Sequence, residues 1–343
     1  MRNSMYKLIG VLIILSFVLV ACAPADEPAP QEPAPGDNNA QQPADGIAGL
    51  AMTNRISEEW KQSGKMFAVP SVAAREACAV ACHDGYAFST GEFTDPEQFD
   101  EEGMHFVGID CQSCHSGTGQ ELMDTGLVSV PFADEEIQAG TGALCITCHH
   151  GRRDTRAIYE EYEGGGATRF SYPHYGPAAL TTGMGGVEYP DVEYGHTPAH
   201  GELENTCLTC HMPQTADGYR DHTFQMDEQY AGQTCGGCHS GITDWNLNGF
   251  QDQVQEWVSQ LEEAIFEETG SVYISSGGGQ LIFYADEART ETLTPDQVSL
   301  EAFIAAYNVY LIRTEGSWGV HNPAYTRSLL QESYRALTGD ELQ

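Results

Sequence analysis

The chain has 343 residues and a formal net charge of −35, with 50 acidic side chains against 15 basic ones. Such a surface repels nucleic acid and anionic lipid headgroups and offers no strongly cationic funnel for nitrite or sulfite. It favours basic partners, cations and mineral or metal surfaces, and for most of its carboxylates it means solubility.

The N-terminus comes first. Residues 1–21 begin with Arg2 and Lys7 and continue as an apolar run from Leu8 to Ala21. That pattern predicts a secretory signal, too short and wrongly flanked for a settled membrane span. It ends Leu19-Val20-Ala21-Cys22, a lipoprotein box that predicts cleavage before Cys22 and lipidation of Cys22. Acyl chains there would bind the membrane surface without crossing it and hold an exported protein on the outer face of the membrane or at the cell surface. Residues 22–46 are rich in Pro, Ala and acids, cannot build a core, and read as an extended tether. The folded domain is expected over 47–343, with a helical C-terminal part from about residue 250.

Within that domain, 54–63 and 71–77 read as short helical pieces. The stretches 84–104, 116–143 and 163–195 are rich in Gly, Pro, Tyr and acids and read as loops. Phe250–Glu268 is the clearest helix, with Val254, Trp257, Val258, Leu261 and Ile265 at helical spacing. Ser271–Ala285 predicts a hairpin around Gly277-Gly278-Gly279. Thr294-Pro295-Asp296 opens a helix to about Arg313, and Pro323 to Leu337 predicts the last one.

Ten of the eleven cysteines fall in five short motifs. Four read C-x-x-C-H: Cys111/Cys114/His115, Cys145/Cys148/His149, Cys207/Cys210/His211 and Cys235/Cys238/His239. The earliest, Cys78/Cys82/His83, has one extra residue between its cysteines. Paired cysteines also serve zinc or disulfides. Neither requires a histidine directly after the second cysteine, and its chance recurrence at all five is on the order of 10⁻⁷. The pattern is that of covalent haem c, with thioethers from each cysteine pair and an axial bond from the adjacent histidine. Export fits, because haem attachment takes place outside the cytoplasm. Cys22 is the only thiol left over, so none remains for structural disulfides, catalysis or an iron–sulfur cluster.

Five haems in this domain leave about 59 residues per haem, so the cofactors are expected to supply much of the core. A compact chain of this length has a radius of gyration of about 19 Å. Five macrocycles in that volume must pack closely and form an electron path. The expected fold is mainly α with much irregular structure, organised around stacked haems, with one small β-hairpin.

Seven histidines stand outside the motifs: His105, His150, His174, His196, His200, His222 and His321. The segments YPHYGPAA, AHGELENTCLTCHMP, YRDHTF and HNPAY resemble multihaem c-type cytochromes of respiratory and extracellular electron transfer. The resemblance covers roughly residues 140–340, and the first two motifs only through their attachment residues. It implies that His174, His200, His222 and His321 are distal iron ligands. For the fifth iron His105 is chosen over His150 and His196. It stands six residues before Cys111, echoing the seven from His200 to Cys207. Met104, Met184 and Met226 are alternative sixth ligands, but the histidine supply points to bis-histidine irons.

Bis-histidine irons have no open position, which favours an electron carrier over an enzyme. The carrier would link a membrane-side donor to redox partner proteins, a mineral or metal acceptor, or a filament or homo-oligomer. The alternative is a reductase of nitrite, hydroxylamine or a sulfur oxyanion with one open haem, and the first haem, with its odd spacing, is the place for it. Pentahaem nitrite reductases share the motif count, yet their usual C-x-x-C-K motif is missing. Finally, Asp244, Asn246, Asn248, Gly249 and Asp252 resemble the start of a Ca²⁺-binding EF-hand loop. Gln255 stands where the loop needs glutamate, so a turn capping the following helix is the preferred reading.

Overall fold

The structure, a computed structural model, describes residues 49–95 and 107–343. Residues 1–48, with the signal, the tether and Cys22, and residues 96–106, with Met104 and His105, lie outside the described residues. The fold is mainly α, with irregular connections and two small antiparallel hairpins, Leu127–Val128 with Ile137–Gln138 and Tyr273–Gly277 with Gln280–Tyr284. The second hairpin sits where the sequence places it; the first falls in a stretch that reads as loop. Among the described residues no helix is long and apolar enough to cross a membrane.

The C-terminal half has a packed core of its own. The helix Phe250–Thr269 buries Val254, Trp257, Val258, Leu261 and Ile265, the face its periodicity predicts. The helix Leu300–Glu315 is buried on nearly every side, so it shows little amphipathic pattern and runs through the middle of the cluster. Its start differs from the sequence reading. Thr294-Pro295-Asp296 forms a separate 3₁₀ turn, and Ser299 caps the helix proper. The last helix, Pro323–Thr338, closes the layer. Burying a side chain such as Leu261 or Ile265 contributes about 1.5–3 kcal/mol. Apolar side chains fill this part of the core.

The N-terminal half is different. It holds short helices and a small cluster of eight buried apolar residues, Ala143 and Ile146 among them. Tight backbone contacts hold it together. Gly85 packs so closely on Gly108 that a Cβ would meet its carbonyl oxygen, and Gly117, at φ +51°, is pressed likewise against Ser89. Asp84 caps the Gly85–Thr90 helix and also accepts a hydrogen bond from Val107, joining the first motif to the approach of the second.

At Asp244–Gly249 the structure shows a turn. Asp244 accepts a hydrogen bond from the Asn246 backbone, and the Asn246 side chain accepts one from Gln251 in the first turn of the helix. Those oxygens serve the helix start, and among the described residues no cluster of three His, Cys, Asp or Glu is set to hold a metal ion.

Candidate haem sites

Three attachment motifs form single helical turns, Cys111–His115, Ala143–Cys148 with His149 next, and Cys207–His211. A helical turn puts residues three apart on one face, so both cysteines look the same way. The first motif absorbs its extra residue as a π-helical turn over Ala79–His83. The wider turn keeps Cys78 and Cys82 on one face despite the added residue. None of the ten motif cysteines is joined in a disulfide, so each sulfur is available for a thioether.

The fifth motif departs from the others. It is a turn rather than a helix: the backbone N–H groups of Cys238 and His239 both donate to the Cys235 carbonyl, at 3.0 and 2.8 Å. Cys238 is exposed, as is Cys111, whereas the other eight motif cysteines are partly buried. The two glycines between Cys235 and Cys238 carry no side chains to cover the thiol, and Gly237 has open space around it. The short turn does preserve the shared direction of the pair, since both following N–H groups close back on Cys235.

The histidines that follow four of these motifs each face another histidine ring. Centroid separations are 6.1 Å for His83–His174, 6.5 Å for His115–His222, 6.2 Å for His211–His321 and 6.3 Å for His239–His200. Two imidazole nitrogens sharing one metal at about 2 Å each put their ring centres about 6 Å apart. The four partners are the residues singled out by the sequence.

Each partner is also held from behind through Nδ1. Tyr172 Oη lies 2.6 Å from His174 Nδ1. The carbonyl of Val320 lies 2.6 Å from His200 Nδ1, and that of Arg220 lies 2.6 Å from His222 Nδ1. Glu315 Oε2 lies 2.7 Å from His321 Nδ1. Fixing one ring nitrogen sets the ring orientation and leaves Nε2 for the metal. Burial pushes His174 down to about 4, with the Arg152 charge adding to it, and His149 down to about 3, with Lys65 adding. Neutral imidazole is the metal-binding form. His321 goes the other way: burial pulls it down, but the hydrogen bond and charge of Glu315 outweigh it.

The long-range packing delivers these partners. The helix Leu50–Gln62 sends Trp60 Nε1 to the Ile109 carbonyl just before the second motif. Its Glu59 accepts from Tyr219 Oη and from the backbone N–H of His222. Asn322 caps the last helix and accepts from the Thr197 backbone, while Ser328 accepts from Gly195. The C-terminal core thus presents both His200 and His321.

The motifs also touch one another. Cys82 Sγ of the first motif lies 3.6 Å from the carbonyl of Thr147, between the two cysteines of the third. The third motif therefore meets the first through Cys82 and the fourth through the packing of Gly142 on Thr206. The segment Ala139–Gly142 seats this arrangement. Thr206 Oγ1 donates to the Ala139 carbonyl, Thr141 Oγ1 to Asn205 Oδ1, and a Cβ on Gly142 would collide with the Thr206 side chain.

The profile of the cytochrome c552 family matches residues 158–342, more than half of the chain. This chain belongs to the cytochrome c552 family. It is therefore a c-type cytochrome, an electron-transfer protein carrying covalently bound haem c. A cytochrome c-552 of Aliarcobacter butzleri is 27% identical over 187 residues, which is 54% of this chain and 34% of that protein. Another, of Haemophilus influenzae, is 40% identical over 57 residues, 16% of this chain and 11% of that protein. The cytochrome thus matches about a third of the length of the first relative. The crystal structure of the outer cell wall cytochrome OcwA superposes with a TM-score of 0.52 at 18% identity, covering 82% of this chain and 50% of that one, and shows a shared fold.

The residues present fit haem. The cytochrome offers a cysteine pair and adjacent histidine at each motif, and for four of them an oriented second imidazole at the right span. Bound there, haem supplies one-electron chemistry at iron. The fifth histidine, His149, faces no other histidine ring among the described residues. His150 instead lies with Nδ1 3.0 Å from the Ile146 carbonyl, and His196 with Nδ1 2.7 Å from Asn322 Nδ2. Met184 packs against the small apolar cluster, and Met226 is exposed. Sequence reasoning missed Arg152, Tyr172 and Glu315. Tyr172 stands in the YPHYGPAA segment without a role being read for it, Arg152 and Glu315 carry no motif, and only the fold brings the three to the histidines.

Proposed function

We propose that this cytochrome relays electrons through five closely packed haems, from a membrane-side donor to an extracytoplasmic acceptor. The observation that carries the reading is the set of four facing histidine pairs, each with its Nδ1 tied. An iron held on both sides by imidazole has no position for substrate and is limited to electron transfer. The contacts among the first, third and fourth motifs support a continuous path, because attached haems must follow their cysteines. The exposed Cys238 supports the fifth haem as a terminus of that path, where a partner could approach.

The acceptor side rests on charge and on relatives. With a formal charge of −35 the surface attracts cationic partners, metal ions and mineral surfaces. OcwA is described as an outer cell wall cytochrome, and the signal with its Cys22 box fits the same side of the envelope. Lipid on Cys22 would anchor the protein there, and a filament or homo-oligomer would extend the path.

One observation favours a second reading, a reductase of nitrite, hydroxylamine or a sulfur oxyanion. Arg152 Nη1 lies 3.9 Å from Cys78 Sγ, and its charge acts on both His83 and His174. With Tyr172 it places a cation and a phenol beside the first haem site, where an oxyanion could be held if His174 withdrew.

Electron paramagnetic resonance of the oxidised, fully loaded protein, with and without nitrite, separates the two. Low-spin ferric signals throughout, unchanged by nitrite, are expected for the relay. A high-spin signal worth one haem that moves with nitrite would replace the relay with the reductase.

A further inference from the structure

We infer that Lys65 is the sixth ligand of the iron held by His149, giving the Cys145/Cys148 haem a histidine–lysine pair among bis-histidine neighbours. The inference rests on the relay reading and completes its one unpaired site.

Four motif histidines face an imidazole, whereas His149 faces an amine. Lys65 Nζ lies 2.6 Å from His149 Nε2, the nitrogen that would bind iron. His149 Nδ1 is buried without a hydrogen-bond partner, so Lys65 is the ring's one hydrogen-bond partner among the described residues, and Tyr175 packs edge-on against it at 5.2 Å. Two nitrogens sharing an iron stand about 4 Å apart, so the pair must separate by little more than an ångström. The four-carbon stem of lysine permits that, and the Lys65 ammonium also lies 5.9 Å from the Phe224 ring centre.

The surroundings of Lys65 are unusual for a cation in this chain. Its charge acts on Cys82, Cys114, Cys145, Cys148, His149 and His211, which belong to four motifs. Fifty carboxylates are available in the sequence, yet Lys65 makes no ion pair with one among the described residues, while Lys61 pairs with Glu58. The only lysines beyond Lys7 are Lys61 and Lys65, and the remaining basic side chains besides histidine are arginines. Arginine cannot shed its proton to bind a metal, and lysine can.

The backbone fixes the approach. Lys65 sits in a 3₁₀ turn, Gly64–Met66, capped by Ser63 directly after the helix that Trp60 and Glu59 pin in place. Gly108 packs against the Lys65 and Met66 carbonyls from the other side. Ligation forms one Nζ–Fe bond and releases one proton from the ammonium to solvent. No oxidant or reductant is consumed.

The test compares the loaded wild-type protein with Lys65→Ala, Lys65→His and His105→Ala, by electron paramagnetic resonance and near-infrared magnetic circular dichroism. The charge-transfer band in the latter moves with the identity of the axial pair. Haem content of each variant is measured by pyridine haemochrome. The wild type should show four bis-histidine haems and one histidine–amine haem. Lys65→Ala should turn one haem high-spin, and added methylamine should return it to low spin. Lys65→His should stay low-spin and shift that one band to the bis-histidine position, which holds the inference open to test even if Lys65→Ala loads poorly. A wild-type spectrum with only bis-histidine bands, unaltered in Lys65→His, overturns the assignment. So does a high-spin haem in His105→Ala with none in Lys65→Ala. A high-spin haem already present in the wild type would instead count against the relay reading itself.

Discussion

His211 and His321 face each other at 6.2 Å, with their ring planes at 40°, and the buried carboxylate of Glu315 grips His321 from behind at 2.7 Å. A hydrogen bond to carboxylate gives an imidazole anionic character and makes it a stronger donor to oxidised iron. Glu315→Gln should therefore raise the reduction potential of the Cys207/Cys210 haem while keeping it low-spin, as followed by spectropotentiometry. Outer partners of this kind are worth about 10–100-fold in metal affinity. His321→Ala should go further and turn that haem high-spin. Unchanged spin state in His321→Ala would remove the residue from the ligand set.

At the first motif, His174→Ala should open one iron beside Arg152 and Tyr172. The expected result is a single high-spin haem whose signal responds to nitrite. Tyr172→Phe removes the group that orients His174 and should cost about 1 kcal/mol of stability with the site still closed. Arg152→Ala in the His174→Ala background should weaken the nitrite response, measured as the concentration needed for half the spectral change.

Gly142 is where the third and fourth motifs meet. A methyl group there has no space beside Thr206, so Gly142→Ala must push Ala139–Gly142 away from Glu204–Thr206. Overpacking of this kind costs about 1–3 kcal/mol. Flash-reduction kinetics should show slower exchange between the haems of Cys145/Cys148 and Cys207/Cys210, with axial ligation unchanged. A rate equal to wild type would break the link between this packing and the electron path.

Glu188 gives a pH dependence with a definite sign. Burial raises its carboxyl above the ordinary 4.5, partly offset by the hydrogen bond from Tyr325 at 2.5 Å. Below pH 4.5 both folded and unfolded chains hold the proton. As pH rises from there, the unfolded chain releases it first, so stability is lost until the folded group has also ionised. Glu188→Gln should keep the Tyr325 contact and flatten the denaturation midpoint between pH 4.5 and neutrality. A wild-type slope retained in the variant would show that another group controls it.

The ten motif cysteines and their five histidines are legible because thioether attachment demands a fixed local spacing, and local spacing is what a sequence displays. Their burial is not legible, and Cys238 on its exposed turn differs from Cys145 and Cys148 for reasons of position among the motifs. The Phe250–Thr269 helix and the Tyr273–Tyr284 hairpin are legible for the same reason as the motifs, since their apolar periods are strong. The helix Leu300–Glu315 hides its boundaries because burial on all sides erases the amphipathic pattern. The distal histidines emerged only through resemblance, as nothing local pairs His222 with His115 or His321 with His211. His105 was favoured by its spacing alone and lies outside the described residues, while Lys65, which carries no motif, is the group found against His149.

The sequence by itself determined the cofactor chemistry, since the attachment motifs are written in contiguous residues. Only the tertiary structure decided which histidine faces which, what holds each distal Nδ1, and that the third motif touches both the first and the fourth. Those relationships come from long-range packing of helices and glycine-tight loops, which the order of residues along the chain does not reveal.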